Sequence, residues 1–368
     1  VSSQRTSQSA VASFVTRAAA AAALLCLSGC STVGYYWQSV SGHMRLMNQA
    51  RPVDDWLSDA ATPEKLRERL ALSQRIRSFA VSELHLPDNA SYRRYADLKR
   101  PAVVWNVVAA PEFSLTLKTW CFPVVGCVGY RGYFDQAQAE AEATSLRATG
   151  LEASVYGVPA YSTLGWMNWA GGDPLLSTFI NYPEGELARL IFHELAHQVV
   201  YAKDDTMFNE SFATAVERLG GMRWLQTFAS DKARSDYADF NQRRVQYRAL
   251  ALETRRALEV VYDKAPEADK AAAAYKAIAK AQVMQTFRDR YAQLKAGWGG
   301  FAGYDPFVAR ANNASFGAQA AYDELVPGFE ALFEREGRDW QRFYDAVKQL
   351  AAMPKDQRHQ ALKESPRA

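Results

Sequence analysis

The chain has 368 residues, 48% of them hydrophobic, with 43 lysines and arginines against 40 acids and a formal charge of +3. A charge this close to balance, without a concentrated basic patch, leaves no electrostatic footprint for nucleic acid. The apolar content is enough for a large core, in one large domain or two smaller ones, and no tandem repeat is present.

The first residues carry Arg5 and Arg17 and no acid, and an apolar run from Ala18 to Leu27 follows. Basic flank and short apolar core describe a secretory signal over residues 1–29, and the run is too short to span a bilayer. Leu27-Ser28-Gly29-Cys30 resembles the bacterial lipobox. That resemblance implies a lipid on Cys30. With Ser31 after it instead of Asp, it also implies an anchor in the outer membrane, facing the periplasm. An ordinary signal peptide cut elsewhere, or a short apolar core helix, is the alternative.

Tyr36 to Met47 reads as a helix, and Thr62-Pro63-Glu64 opens another, with Thr62 as cap and Pro63 at the first helical position. Ala102 to Leu117, rich in Val, Trp, Phe and Thr, reads as two strands around Ala110-Pro111, and Tyr130 to Phe134 as an extension of the sheet. Between them Cys121 and Cys127 flank a short Pro/Gly loop, which in an exported protein suits a disulfide or else two buried thiols. Phe134 to Thr149 is predicted helical, ending at Gly150, and Ser154 to Leu164 a strand. An edge strand there suits an extended peptide, although a plain core strand explains the same residues. Gly165 to Pro174 is irregular, either lining a cleft or tucked down on its tryptophans.

Pro183-Glu184-Gly185-Glu186 looks like a helix start, and Leu187, Leu190, Ile191, Leu195, Val199 and Val200 follow at helical spacing. This helix carries His193-Glu194-Leu195-Ala196-His197, and with it two of the chain's five histidines. Four residues apart, the two imidazoles share one helix face, as one tetrahedral zinc requires. Glu194 stands beside the first ligand, where a general base for a water is needed. Phe208 to Leu219 reads as a second helix closed by Gly220-Gly221. Asp231 to Leu294 reads as a long antiparallel helix pair turning near Ala265-Pro266. A helix from Asn312 would carry Phe316, Ala320, Tyr322 and Leu325 and stop at Pro327, Phe329 to Leu350 would be the last helix, and the tail from Pro354 would fray. The expected fold is α+β and predominantly helical. A helical region spans residues 30–100, a small sheet with the two catalytic helices 101–222, and a helical region 223–368.

His193-Glu194-Leu195-Ala196-His197 with Phe208-Asn209-Glu210-Ser211-Phe212-Ala213 resembles the gluzincin metallopeptidases, whose third zinc ligand is the Glu of an Asn-Glu pair on the next helix. Trp105 to Phe113, Tyr161 to Trp166 and Asp173 to Thr178 are similar to a family of bacterial lipoproteins described as aminopeptidases. The resemblance implies one zinc ion on His193, His197 and Glu210, with Glu194 as base and a peptide or protein as substrate. Counting from His197 favours Glu217 as the third ligand, and the Asn209-Glu210 pair favours Glu210. Zinc is assigned to Glu210, with Glu217 and Asn209 in support, Glu217 as acceptor for a ligand histidine's other N–H. Tyr322, on a late helix, is the candidate oxyanion donor. The amine-binding Gly-x-Met-Glu-Asn motif of aminopeptidase-N-like enzymes is missing; Gly165-Trp166-Met167-Asn168 only echoes it, and Asp173 or Glu112 would have to substitute. A zinc endopeptidase, or a non-catalytic chaperone-like envelope protein on the same fold, is the alternative.

Overall fold

The computed structural model describes residues 34–122, 126–165, 167–263, 270–320 and 324–364. The chain divides into two units, Val1–Asn48 and Gln49–Ala368. Helix α1, residues 34–49, accounts for the described part of the first unit. Cys30 and the signal segment lie outside the described residues, as do Tyr322 and Trp166.

The second unit begins with β1 (Arg51–Pro52), α2 (Val53–Ser58), α3 (Glu64–Ser82), β2 (Arg94–Ala96) and β3 (Val104–Pro111). A hairpin of β4 (Trp120–Phe122) and β5 (Gly126–Val128) leads to β6 (Arg131–Tyr133), α4 (Gln136–Ala148), β7 (Leu151–Val158) and β8 (Leu175–Leu176). The rest is helical: α5 (Glu184–Ala196), α6 (Thr206–Thr227), α7 (Asp231–Asp263), α8 (Lys270–Gly297), α9 (Asp305–Ala309), α10 (Asn313–Ala320), α11 (Val326–Arg335), α12 (Trp340–Ala352) and α13 (Lys355–Lys363). The fold is α+β and predominantly helical. Among the described residues no helix is long and apolar enough to cross a membrane.

The main sheet is antiparallel, in the order β6–β3–β7. Its middle strand is buried from Val104 to Ala110, and this explains its run of apolar residues. It is one strand, not the expected two: Pro111, which cannot donate to a ladder, sits at its last position and ends it. β7 starts and stops earlier than the expected Ser154–Leu164, because Gly150, at φ +84°, turns the chain straight from α4 into the sheet. Among the described residues, small sheets of β1–β2–β8 and β4–β5 complete the β structure, and Cys121 and Cys127 face each other across the hairpin and are disulfide-bonded.

Several helix ends differ from expectation, each for a packing reason. Thr62 leaves its hydroxyl unpartnered, and Pro63 occupies the cap position of α3. α6 runs through Gly220-Gly221. A Cβ on Gly220 would stand 2.6 Å from Leu84, and one on Gly221 2.7 Å from Arg189, so these glycines let neighbours approach a continuing helix. Pro327 opens α11 from its first turn instead of stopping a helix. The expected last helix is two, broken at Gly337 and Arg338, both at positive φ, before Asp339 caps α12 by accepting the Arg342 N–H at 2.9 Å. Through Glu364 the expected frayed tail is instead helical: α13 buries Arg358 and Leu362. The α7–α8 pair is as expected, its predicted turn lying outside the described residues.

Candidate metal centre

Helix α5 places the histidines. It buries Leu187, Ala188, Ile191, Phe192 and Leu195, and this apolar side fixes its rotation. His193 lies in its last turn, and His197 is its C-cap residue, still αR, with its N–H bonded to the His193 carbonyl at 3.3 Å. α6 runs antiparallel beside it, since Glu210 meets His193 and His197 while Glu217, further on, meets His193 and Arg189.

The loop between them is held at three points. The Asn209 amide brackets Ala202, accepting its N–H at 2.7 Å and donating to its carbonyl at 2.8 Å. Asp205, buried, caps α6 through the Phe208 N–H at 3.2 Å and meets His359 of α13 at 2.9 Å. Asp204, at φ +63°, accepts the Cys127 N–H at 2.6 Å from the disulfide hairpin. A Cβ on Gly126 would stand 2.2 Å from the Asp204 carboxylate, and Gly126 is at φ +78°, so the hairpin tip requires glycine.

Three ligand atoms converge. His193 Nε2 and His197 Nε2 are 3.2 Å apart, and Glu210 Oε2 stands 3.3 Å from the first and 3.7 Å from the second. Donors at tetrahedral corners, about 2.0–2.2 Å from a zinc ion, stand about 3.3–3.6 Å from one another. The triangle therefore has the dimensions of one face of such a site, and the group is capable of holding a metal ion. Two ring nitrogens that close, with a carboxylate beside them, leave two lone pairs opposed unless a proton or a cation sits between them.

The electrostatics agree. Burial pushes the Glu210 carboxyl up, but His197 and His193 outweigh it and bring it down to about 2. Burial lowers His193, but Glu210 and Glu217 outweigh it and hold the imidazole well above its ordinary value. Glu194, buried in the same place, is raised by burial against the pull of His193 and His197. Glu217 Oε2 lies 3.1 Å from His193 Nδ1. The contact is close but not aligned as a hydrogen bond. Glu217 also pairs with the buried Arg189, which holds it well below the usual carboxylate range against its burial. Arg189 continues to Glu186 at 3.8 Å, and Glu186 takes Arg244 at 2.7 Å.

The structure thus brings His193, Glu194, His197, Glu210 and Glu217 together. Asn209 touches the loop backbone and no ligand. Asp173 is buried, accepting the Thr163 N–H at 3.0 Å with Gln198 at 3.4 Å, and so braces the 162–173 loop with no face free for a substrate amine. Trp169 at that loop's tip is 84% exposed and does not tuck it down. Glu112 sits at the far end of β3, where its carbonyl takes the Asn313 amide at 2.7 Å.

Three tyrosines given no role by the sequence alone feel the charge of Glu210. Tyr130 is raised well above its ordinary value by burial and by the charges of Glu210, Tyr201, Tyr156 and Glu194. Tyr156 and Tyr201 are each pushed up to about 12, by burial first and with Glu210 contributing. They come from the β5–β6 turn, β7 and the α5–α6 loop, which no local pattern links.

A protein-family model described as "Putative aminopeptidase" matches residues 34–362. No curated protein and no solved structure matches the chain.

Proposed function

Since the chain belongs to the family described as "Putative aminopeptidase", we propose that it is a zinc-dependent peptidase, an aminopeptidase, using His193, His197 and Glu210 as ligands. The observation that carries this reading is the triangle of 3.2, 3.3 and 3.7 Å between their donor atoms, with no fourth protein ligand closing it among the described residues. Three ligands and an open position are the pattern of catalytic zinc; structural sites take four protein ligands.

Zinc held there supplies Lewis acidity to a water and to a peptide carbonyl. Glu194 takes a proton from the attacking water and passes it to the leaving amine. A buried carboxyl raised above its usual range is a stronger base than a solvated one, and so suits both transfers. Tyr130, kept protonated by its surroundings and close to both Glu210 and Glu194, is the donor we favour for the developing oxyanion, a contribution of about 2.7–4 kcal/mol in comparable sites. Glu217 fixes the tautomer of His193. The Leu27-Ser28-Gly29-Cys30 stretch supports placing this activity at the bacterial envelope, tethered by lipid on Cys30.

The test pairs metal analysis with cleavage. The wild-type chain should hold one zinc and cut a mixed peptide library at N-terminal bonds, read by mass spectrometry. Zinc retained with no cleavage would leave a chain-binding protein; cleavage of N-acetylated peptides at internal bonds would make it an endopeptidase. A Cys30→Ala chain that still takes up labelled fatty acid would remove the anchor.

A further inference from the structure

Helix α1 turns its apolar stripe outward. At about 100° per residue, Tyr36, Val40, Met44 and Trp37 fall within about 100° of one another round the helix axis. A stripe of that width is what a helix ordinarily presents to a core. Here all four are exposed: Trp37 at 74%, Val40 at 60%, Met44 at 49% and Tyr36 at 38%. On the opposite side Gln38, Gly42 and Leu46 are buried. The helix thus buries a glutamine and leaves a tryptophan outside. Apolar area of this kind is unfavourable in water, and a contiguous patch of it marks an interaction surface.

Composition and charge select the occupant. Tyr36 and Trp37 carry amphipathic rings, the types enriched where hydrocarbon meets lipid headgroups. Arg45 follows Met44 and is exposed, and no Asp or Glu occurs in the chain before Asp54. A helix with a cation and no acid is attracted to an anionic lipid surface. At about 1.5 Å per residue α1 is about 24 Å long. It is not long and apolar enough to cross a membrane, so it would lie in the plane of the interface. Gly34 begins the helix four residues after Cys30, a separation of at most about 14 Å. A lipid on Cys30 would therefore bring the stripe to the bilayer.

We infer that α1 is an interfacial helix, its Tyr36, Trp37, Val40 and Met44 stripe seated in a lipid surface that contains anionic headgroups. The choice of lipid rests in part on the envelope placement proposed above, which fatty-acid labelling tests separately; peptidase activity plays no part in it.

The test removes the anchor, so that the helix answers alone. The full chain carries Cys26→Ala and Cys30→Ala, with a nitrobenzoxadiazole label on Met44→Cys or, opposite the stripe, on Gln49→Cys. Both labelled chains keep the same signal segment, so binding through that segment alone cannot tell the two positions apart. Vesicles are of phosphatidylethanolamine and phosphatidylglycerol, with or without a nitroxide-bearing lipid. On adding vesicles, emission from position 44 should shift to the blue and be quenched by the nitroxide, while position 49 does neither. Trp37→Gln, or phosphatidylcholine in place of phosphatidylglycerol, should weaken the quenching at position 44. No shift at position 44, equal quenching at both positions, or quenching indifferent to Trp37→Gln would overturn the inference. So would a blue shift that needs no vesicles and grows with protein concentration, which would give the stripe to a second copy of the chain.

Discussion

Replacing Glu217 with Gln separates the two carboxylates that meet His193. Glu217 lies 3.1 Å from His193 Nδ1 and pairs with Arg189, whose side chain is only 4% exposed. The substitution keeps the shape and removes the charge, so a buried guanidinium loses its nearest anion. Breaking a buried pair this way costs about 3–5 kcal/mol. Arg189 keeps the Tyr237 hydroxyl at 3.0 Å and Glu186 at 3.8 Å, which argues for the low end, about 3 kcal/mol. The metal effect is separate. His193 keeps at most a neutral amide oxygen in place of the carboxylate that faces its Nδ1, so zinc affinity should fall by no more than the about 10–100-fold that loss of such an outer contact costs. Glu210→Gln replaces a candidate ligating carboxylate with a neutral amide, a much poorer zinc ligand, and should lower zinc affinity further still. Thermal melts in EDTA measure the first effect, and zinc titration against a competing chelator the second. If Glu217→Gln melts like wild type in EDTA, the Arg189 pair contributes nothing. If it loses more zinc than Glu210→Gln does, Glu217 is the ligand.

Other outcomes follow from the same contacts. Glu194→Gln should keep zinc and lose about 10²–10⁴-fold in turnover, and an active zinc-replete variant would remove the base. Tyr130→Phe should lower kcat with KM little changed, while an unchanged kcat would move the oxyanion donor elsewhere. Gly126→Ala should lower the melting temperature and weaken zinc, because its Cβ meets Asp204 at 2.2 Å; an unperturbed melt would show the hairpin tip does not brace the loop. The pH dependence has two limbs. Glu210, at about 2 against 4.5, adds stability that is present above 4.5 and lost as pH falls toward 2. His193, raised above 6.5, adds stability that is present below 6.5 and lost as pH rises through its folded value. These groups favour the metal-free chain most between pH 4.5 and 6.5. Zinc must displace the His193 proton, so its affinity should rise with pH, by up to about tenfold per unit; affinity flat from about pH 6 to 8 would refute this.

The His-His-Glu cluster, a group able to hold a metal ion, was legible because its signal is local. His193, Glu194 and His197 fall within five residues of one helix, so spacing alone places them. Glu210 needed the neighbouring words as well, since counting from His197 pointed to Glu217. The tyrosines were not legible: Tyr130, Tyr156 and Tyr201 come from a turn, a strand and a loop, and only tertiary packing brings them within range of the Glu210 charge. The misread helix ends share a cause. Gly220-Gly221 and Pro327 carry strong local stop signals, and tertiary contacts override them by putting Leu84 and Arg189 where side chains would otherwise stand, and by starting α11 at the proline. The polar tail gave no sign of α13 because its contribution is ionic: Arg358 and His359 meet the buried Asp205.

The short α5–α6 connection works because its geometry is imposed from outside. Asn209, Asp204 and Asp205 tie residues 202–209 to themselves, to the disulfide hairpin and to α13, so the register of α6 against α5 does not depend on loop length. That register decides everything at His193. Glu210 and Glu217 are two turns apart, about 10 Å along α6, yet they reach opposite edges of one imidazole, at 3.3 Å on Nε2 and 3.1 Å on Nδ1. A one-residue rotation of α6 would turn both away by about 100°. The hairpin tip and the last helix thereby hold in place both Glu210, the candidate metal-ligating carboxylate, and Glu217, which faces the other edge of His193.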